Sequence, residues 1–225
     1  MLRSMRFAGL ALGTALFAGP LTAQGFEGVV AYKMGGDAGK STEMTMSIKG
    51  SQVRTDMSAE GHNMAMLLDG QSMSMTMLMA EQKMYMTMDM KAMRDRMQGM
   101  EHGDHAPPKI TALGTSETIA GRRCENYLVE SEKSKIEVCN AKGMGNFMAP
   151  QSPMGRGAAS PLNDFDNEAY RAFFKEGFFP LRVSNVEGGS KKAVMEATRV
   201  EPKSLDASLF QIPAGYTQMR MPGRP

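Results

Sequence analysis

The chain has 225 residues, with 26 basic and 24 acidic side chains and a formal net charge of +2. Arg3 and Arg6 supply that excess, so the rest of the chain is neutral. Nucleic acid and anionic membranes are bound by concentrated basic surfaces. The composition therefore argues against both partners, and the length suits one domain.

The N-terminus has the pattern of a secretory signal peptide. Arg3 and Arg6 precede an apolar run over residues 7–17, and Ala23 follows at a suitable distance for cleavage. This run is much shorter than the roughly 20 residues of a membrane-spanning helix. We therefore expect residues 1–23 to be removed, leaving an exported, periplasmic domain over residues 24–225 that does not span the membrane.

Short extended runs separated by Gly, Asp and Asn dominate the first 90 residues, which is typical of antiparallel sheets. Extended runs return after residue 108. The predicted strands cover residues 26–34, 41–49, 52–58, 63–68, 72–79, 84–89, 110–118, 122–130, 134–140, 179–187 and 191–200.

Two segments between these strands have helical periodicity. The first would carry one apolar face, with spacings of three and four residues. That face consists of Met90, Met93, Met97 and Met100. The second helix would begin at residue 163 or 164, end at Glu176 and stop at Gly177. Before it, residues 142–161 are rich in Gly, Pro and Ser and predict a mobile loop.

Methionine is strongly concentrated, because 17 of the 25 methionines lie between Met34 and Met100. In two of the predicted strands they alternate with other residues, so each strand carries one methionine face. A symmetric turn around Glu81-Gln82 sets the register of this hairpin. It pairs Met79 with Met84, Met77 with Met86 and Met75 with Met88.

These methionines predict either a closed core or the wall of a cavity. A closed core is the usual interpretation, because apolar stripes of this kind are usually buried. Methionine is unbranched and deformable, however, so such a wall would also accept variable apolar ligands. The predicted ligand-binding face comprises Met44, Met46, Met64, Met66, Met73, Met75, Met77, Met79, Met84, Met86, Met88 and Met90.

A soft metal ion is the alternative ligand, because thioethers select Cu(I). A second candidate cluster lies near the first predicted helix, where His-x-x-His follows two sulfurs. It consists of Met97, Met100, His102 and His105. A solvated loop also explains these histidines. A third use stays open, since exposed methionines can absorb oxidants as reversible sulfoxides.

Cys124 and Cys139 are the only cysteines. In an oxidising compartment a disulfide is their default state. A turn centred between Ser131 and Glu132 would place the two cysteines directly opposite each other on adjacent strands. We predict a structural bridge that staples this hairpin.

No catalytic motif is visible. The chain lacks GxSxG, HExxH, a Walker loop and a GxGxxG that opens a βαβ unit. Meandering strands also remove the usual scaffold for nucleotide binding. We therefore predict a non-enzymatic protein without a cofactor.

Several short patterns occur in a recognisable order. They are Phe26-Glu27-Gly28, Lys49-Gly50, Val53-Arg54, Leu68-Asp69, Lys83-Met84-Tyr85, Thr118-Ile119-Ala120-Gly121, Cys124-Glu125-Asn126-Tyr127, Gly177, Pro180-Leu181 and Phe210-Gln211-Ile212-Pro213-Ala214-Gly215-Tyr216. This order resembles an exported bacterial family known only as a domain of unknown function, the forty-four-twelve family. The resemblance covers most of the chain after the leader.

The resemblance implies a fold similar to that of the periplasmic lipoprotein carriers LolA and LolB. This fold is α+β: a strongly curved antiparallel sheet, or half-open barrel, with helices packed on its concave face. It implies a ligand such as an acyl chain, a lipid or another apolar small molecule, and an envelope protein as a possible client. We therefore expect a carrier-like binding protein, with Cu(I) or Ag(I) binding as the alternative.

Overall fold

The structure is a computed structural model that describes residues 25–35, 41–59, 62–92, 95, 108–131, 134–145, 173–174 and 177–219. These residues form one sheet of twelve strands. A short 3-10 helix, η1 (Ala207–Phe210), lies between the last two strands. The strands are β1 (Gly28–Gly35), β2 (Ser41–Lys49), β3 (Gln52–Ala59), β4 (His62–Asp69), β5 (Ser74–Met79), β6 (Met84–Asp89), β7 (Lys109–Ile119), β8 (Arg122–Glu130), β9 (Lys135–Asn140), β10 (Pro180–Glu187), β11 (Ser190–Pro202) and β12 (Thr217–Gln218).

The sheet consists of two antiparallel meanders joined side by side. Its strand order is β12-β6-β5-β4-β3-β2-β1-β11-β10-β9-β8-β7. The first and last long strands, β1 and β11, therefore pair at the centre, where Val30 lies opposite Val200. All eleven predicted strands are present, with ends shifted by at most two residues, whereas β12 and η1 were not predicted.

The expected α+β class, with helices on the concave face of a LolA-like half-open barrel, is wrong. The described residues are nearly all strand, form one open curved sheet and include no helix packed on a concave face. Both predicted helices, and the loop 142–161 after Gly145, lie almost wholly outside the described residues. The apolar face is instead covered by side chains from the segments that connect strands. These side chains are Met144, Phe174, Phe178 and Phe179.

Strand alternation divides the sheet into two faces. The core face carries Val30, Tyr32 and Met46, and its buried side chains form one continuous cluster from β5 to β8. The reverse face carries Val29, Leu67 and Leu78, which belong to smaller clusters. The largest part of the hydrophobic stabilisation therefore lies on the core face.

An aromatic cluster closes the core face over β8 to β10. Tyr127 meets Phe174 edge-on, with ring centroids 4.9 Å apart, and Phe174 contacts Phe178 at 4.8 Å. The buried side chain of Asn140 holds this segment in place, because it accepts a hydrogen bond from the Phe179 amide and donates one to the Gly177 carbonyl. This end of the face is packed and closed.

The cysteine bridge is confirmed, but its predicted register is wrong. Cys124 and Cys139 form a disulfide with a Cα–Cα distance of 5.3 Å. Cys139 lies opposite Asn126, so the cysteines are diagonal neighbours and not a direct pair. The reason is the turn, which Ser131 and Ser134 close by hydrogen bonds between them. Its centre lies one residue further along the chain than predicted.

An ion pair spans strands β8 and β9 at the level of this disulfide. Glu117 of β7 lies opposite Cys124, and Arg182 of β10 lies opposite Cys139. Their side chains form a salt bridge across β8 and β9, and the hydrogen bond from Arg182 lowers the pKa of the Glu117 carboxyl. Both cysteines are only 1% exposed. The bridge is therefore closed to solvent.

A C-terminal strap, defined as residues 203–219, crosses the reverse face of β1 to β6. Leu205 and Phe210 pack with Val29 of β1, and Tyr216 packs against the small cluster of β4 and β5. The strap ends as β12, which pairs in parallel with the edge strand β6. It therefore ties the second meander to the far edge of the first.

The strap is anchored through polar contacts at its start. The Leu205 amide donates a hydrogen bond of 2.7 Å to the carboxylate of Glu27, which also forms a salt bridge of 3.2 Å with Lys49. The Lys49 ammonium in turn donates to the Leu205 carbonyl. The sequence analysis did not predict this anchor. One local signal lies beside it, because Asp206, two residues before Ser208, is a typical N-cap residue and caps η1.

Glu27 makes the attachment of the strap dependent on pH. Its hydrogen bond from Leu205 and its pairing with Lys49 lower the pKa of its carboxyl. A lowered pKa stabilises the attached state above the ordinary glutamate pKa of about 4.3, and this stabilisation is lost as pH falls through the folded-state value. Hydrogen–deuterium exchange of the Leu205 amide, corrected for its intrinsic rate, should therefore accelerate at acidic pH.

Glu27→Gln should remove most of this dependence, because the side chain no longer titrates. Glu43→Gln is the matched control, since Glu43 is an exposed residue of β2. If both variants kept the parental pH profile, the anchor would not depend on the charge of Glu27.

Candidate ligand-binding face

The methionine hairpin has the predicted register. Met79 lies opposite Met84, Met77 opposite Met86 and Met75 opposite Met88. The turn between the strands is closed by a hydrogen bond from the Lys83 amide to the Ala80 carbonyl. The methionines of β5 and β6 therefore occupy one face, opposite the polar residues with which they alternate.

The neighbouring strands extend this face as predicted. Across β2 to β6, one row runs through directly opposed methionines. It consists of Met44, Met57, Met64, Met79 and Met84. A second row contains Met46, Thr55, Met66, Met77 and Met86. These rows adjoin Tyr32, which lies opposite Met44, so they belong to the core face.

Met73 and Met90 lie just beyond the ends of their strands. Met73 has a positive φ of 52° in the turn before β5. The Met90 amide nevertheless donates to the Met73 carbonyl at 2.9 Å, which continues the ladder by one step. Both residues are half-buried.

The methionines of β2 are fully buried, whereas those of β3 to β6 include several partly exposed side chains. Met46 is 0% exposed and Met44 1%, whereas Met64 is 40% exposed. Met66 and Met75 are also buried. The partly exposed methionines of the two rows form what we call the methionine patch: Met57, Met64, Met77, Met79, Met84 and Met86. One part of the predicted face is thus core, and the other part meets solvent.

The reverse face of the same strands is chemically different. Thr76 and Thr87 share a hydrogen bond of 2.9 Å between their hydroxyls, and the strap covers Leu67 and Leu78. A cleft of about 260 Å³ lies between β4, β5 and Phe210 of the strap. Sites for small molecules are typically about 300 to 1,000 Å³, so this cleft is small for an organic ligand.

The buried hydroxyl near the methionine rows has a structural partner. Tyr32 donates a hydrogen bond of 3.1 Å to the Pro180 carbonyl, and burial raises the pKa of its hydroxyl well above the ordinary value. It therefore stays neutral and ties β1 to β10. The methionine patch itself offers thioethers and apolar surface.

The second predicted metal cluster cannot be placed, because Met97, Met100, His102 and His105 lie outside the described residues. Across the parts of the chain that the structure describes, no three His, Cys, Asp or Glu side chains are grouped to hold a metal ion. Methionine sulfurs are thus the candidate metal ligands that remain on the described sheet.

Comparison with known proteins gives a family. No curated protein matches the chain. Two solved structures of PNGF-II, in the C2 and P21 space groups, are 12% and 10% identical, with TM-scores of 0.44 and 0.42. They cover 84% and 85% of this chain, which spans about a third of their own length, 30% and 31%.

No helix in the described ranges has the length and apolar character needed to cross a membrane. The profile of one family matches residues 26–216, a span that runs from before β1 into the strap. The chain therefore belongs to the family described as Domain of unknown function (DUF4412).

Proposed function

We propose that this chain is an exported, periplasmic binding protein that holds an apolar ligand, such as an acyl chain, against its methionine patch. The observation that carries the proposal is the contrast in burial within the methionine rows. The same face that is fully packed at Met46 is partly open at Met64. An open continuation of a core face offers a ligand the same kind of contacts that the core makes.

The composition of the patch supports a ligand of variable shape. Methionine has three rotatable bonds and a polarisable sulfur, so it adapts its packing to different partners. Adaptable surfaces of this kind are typical of binders with broad specificity. Burying one methionine side chain stabilises a complex by about 1.5 to 3 kcal/mol, so a few contacts with the patch suffice for binding.

Met64→Glu should weaken binding of a fluorescent fatty acid by about tenfold or more, because the contact of one apolar side chain is lost and a charge faces the acyl chain. Asn63→Glu is the matched control. Asn63 is the adjacent exposed residue of β4 and points to the reverse face. Fluorescence titration of the two variants and the parent gives the comparison.

Equal affinity of Met64→Glu and Asn63→Glu would show that the ligand does not contact the patch. A direct test uses protein purified from the periplasm. Organic extraction followed by mass spectrometry should recover lipid or fatty acid in stoichiometric amount. Recovery of none, together with no binding of the fluorescent fatty acid, would exclude the proposed function.

A further inference from the structure

We propose that the β5–β6 hairpin is a binding site for a soft monovalent metal ion, Cu(I) or Ag(I), formed by four thioethers. We call these the methionine square: Met77, Met79, Met84 and Met86. This function goes beyond the binding of an apolar ligand and does not require it.

The register places the four residues of the square side by side on one face. Met79 lies opposite Met84 and Met77 opposite Met86, and opposed Cβ atoms are about 4.5 to 5.5 Å apart. Residues two apart on one strand are separated by about 6.8 Å, twice the rise per residue. Four unbranched arms on such a square can converge above its centre, because each has three rotatable bonds.

The neighbouring strand supplies further sulfurs beside the square. Met64 lies opposite Met79, and Met66 lies opposite Met77. Met66 is buried and fixed in the core, whereas Met64 is exposed. A metal ion can therefore reach the square from solvent beside Met64, and it contacts packed core side chains beside Met66.

The chemistry of these donors selects the metal. Thioethers are neutral and soft, which suits Cu(I), whereas hard divalent ions require oxygen ligands. The described residues do not group three His, Cys, Asp or Glu side chains as an alternative metal site. An apolar core at this place would be served as well or better by Leu or Ile, which specify packing more strongly than Met.

The first experiment is an anaerobic titration of the full mature protein with Cu(I) against a coloured chelator. The parent should withdraw Cu(I) from the chelator, and M77L/M79L/M84L/M86L should lose this ability. Leucine keeps the volume and apolar character of each side chain, so the fold is preserved. If the fourfold variant does not fold, M77L/M86L and M79L/M84L should each weaken Cu(I) binding.

A matched control separates this site from methionine content in general. M34L/M88L/M90L/M219L removes the same number of half-buried methionines from outside the square. This variant should bind Cu(I) like the parent, and so should M97L/M100L/H102N/H105N. Unchanged Cu(I) affinity in the fourfold square variant would overturn the proposal, as would equal loss in the M34L/M88L/M90L/M219L control.

The same variants distinguish the metal site from the proposed apolar site. Replacement of the square by leucine should abolish Cu(I) binding whatever its effect on fatty-acid binding, because leucine keeps an apolar surface but offers no sulfur donor. X-ray absorption of the Cu(I) complex should show a ligand shell of sulfur. NMR of ¹³C-methyl methionine with Ag(I) should shift the four methyl signals of the square, and a nitrogen or oxygen shell or unshifted signals would contradict the site.

Discussion

Replacing Met46 with aspartate should cost more than about 4 kcal/mol of stability, enough to unfold the protein or bring it close to unfolding. Met46 is 0% exposed in the middle of the core face. A carboxylate there would lose its hydration without gaining a partner, or would have to stay protonated at a large free-energy cost. Met46→Leu is the control and should cost less than about 1.5 kcal/mol, because volume and apolarity are kept.

The same substitution should be milder at the more exposed methionines of this face. Met77→Asp should have an intermediate cost, since this side chain is half-buried, and Met64→Asp should change stability by about 1 kcal/mol or less. Urea unfolding monitored by circular dichroism gives the three values. Equal costs at Met46 and Met64 would contradict their difference in burial, and with it the distinction between the core and the methionine patch.

Removing the disulfide with Cys124→Ala and Cys139→Ala should lower the free energy of unfolding by about 3 kcal/mol, the chain-entropy value for a loop of about 15 residues. The cysteines are 15 positions apart. The bridge joins β8 and β9, which lie far in the sheet from the methionine rows of β2 to β6, so fatty-acid and Cu(I) binding should be retained. Reduction of the parent after full unfolding should lower its urea midpoint. The size of this decrease should equal the difference in midpoint between the parent and the double variant.

The burial of the bridge adds a kinetic expectation. Folded protein should react slowly with dithiothreitol, because both cysteines are only 1% exposed. Thiol counting over time measures this protection. Immediate reduction of the folded parent would show that the bridge is accessible to reductant. An unchanged urea midpoint in the double alanine variant would show that the bridge does not stabilise the fold.

The sheet was predictable because its signals are local. Alternation fixes which side chains share a face, and short turns fix the register, so the pairing of Met77 with Met86 follows from the sequence alone. The cysteine hairpin shows how sensitive this reasoning is. A turn centre displaced by one residue places Cys139 opposite Asn126 and makes the bridge diagonal.

The covering of the sheet was not predictable in the same way. A curved apolar face can be covered by helices, by loops or by a terminal segment, and periodicity does not choose among these. Here Phe178 and Phe179, which belong to a connecting segment, cover the core face. The strap covers the reverse face and is anchored there by Glu27 and Lys49. These contacts join residues far apart in sequence, so no local pattern indicates them. The open part of the face at Met64 follows from the same tertiary arrangement.

The central pairing of β1 with β11 has a consequence for biogenesis. Each meander can form from hairpins that close short loops, but the β1–β11 pair requires two strands from opposite ends of the chain, and such contacts form slowly. A chain delivered N-terminus first must therefore hold β1 as an unpaired edge until β11 arrives, and an unpaired edge is a template for aggregation. The strap follows β11 directly and emerges after it. Its docking across β1 to β6 thus ends the period during which the nascent sheet is vulnerable.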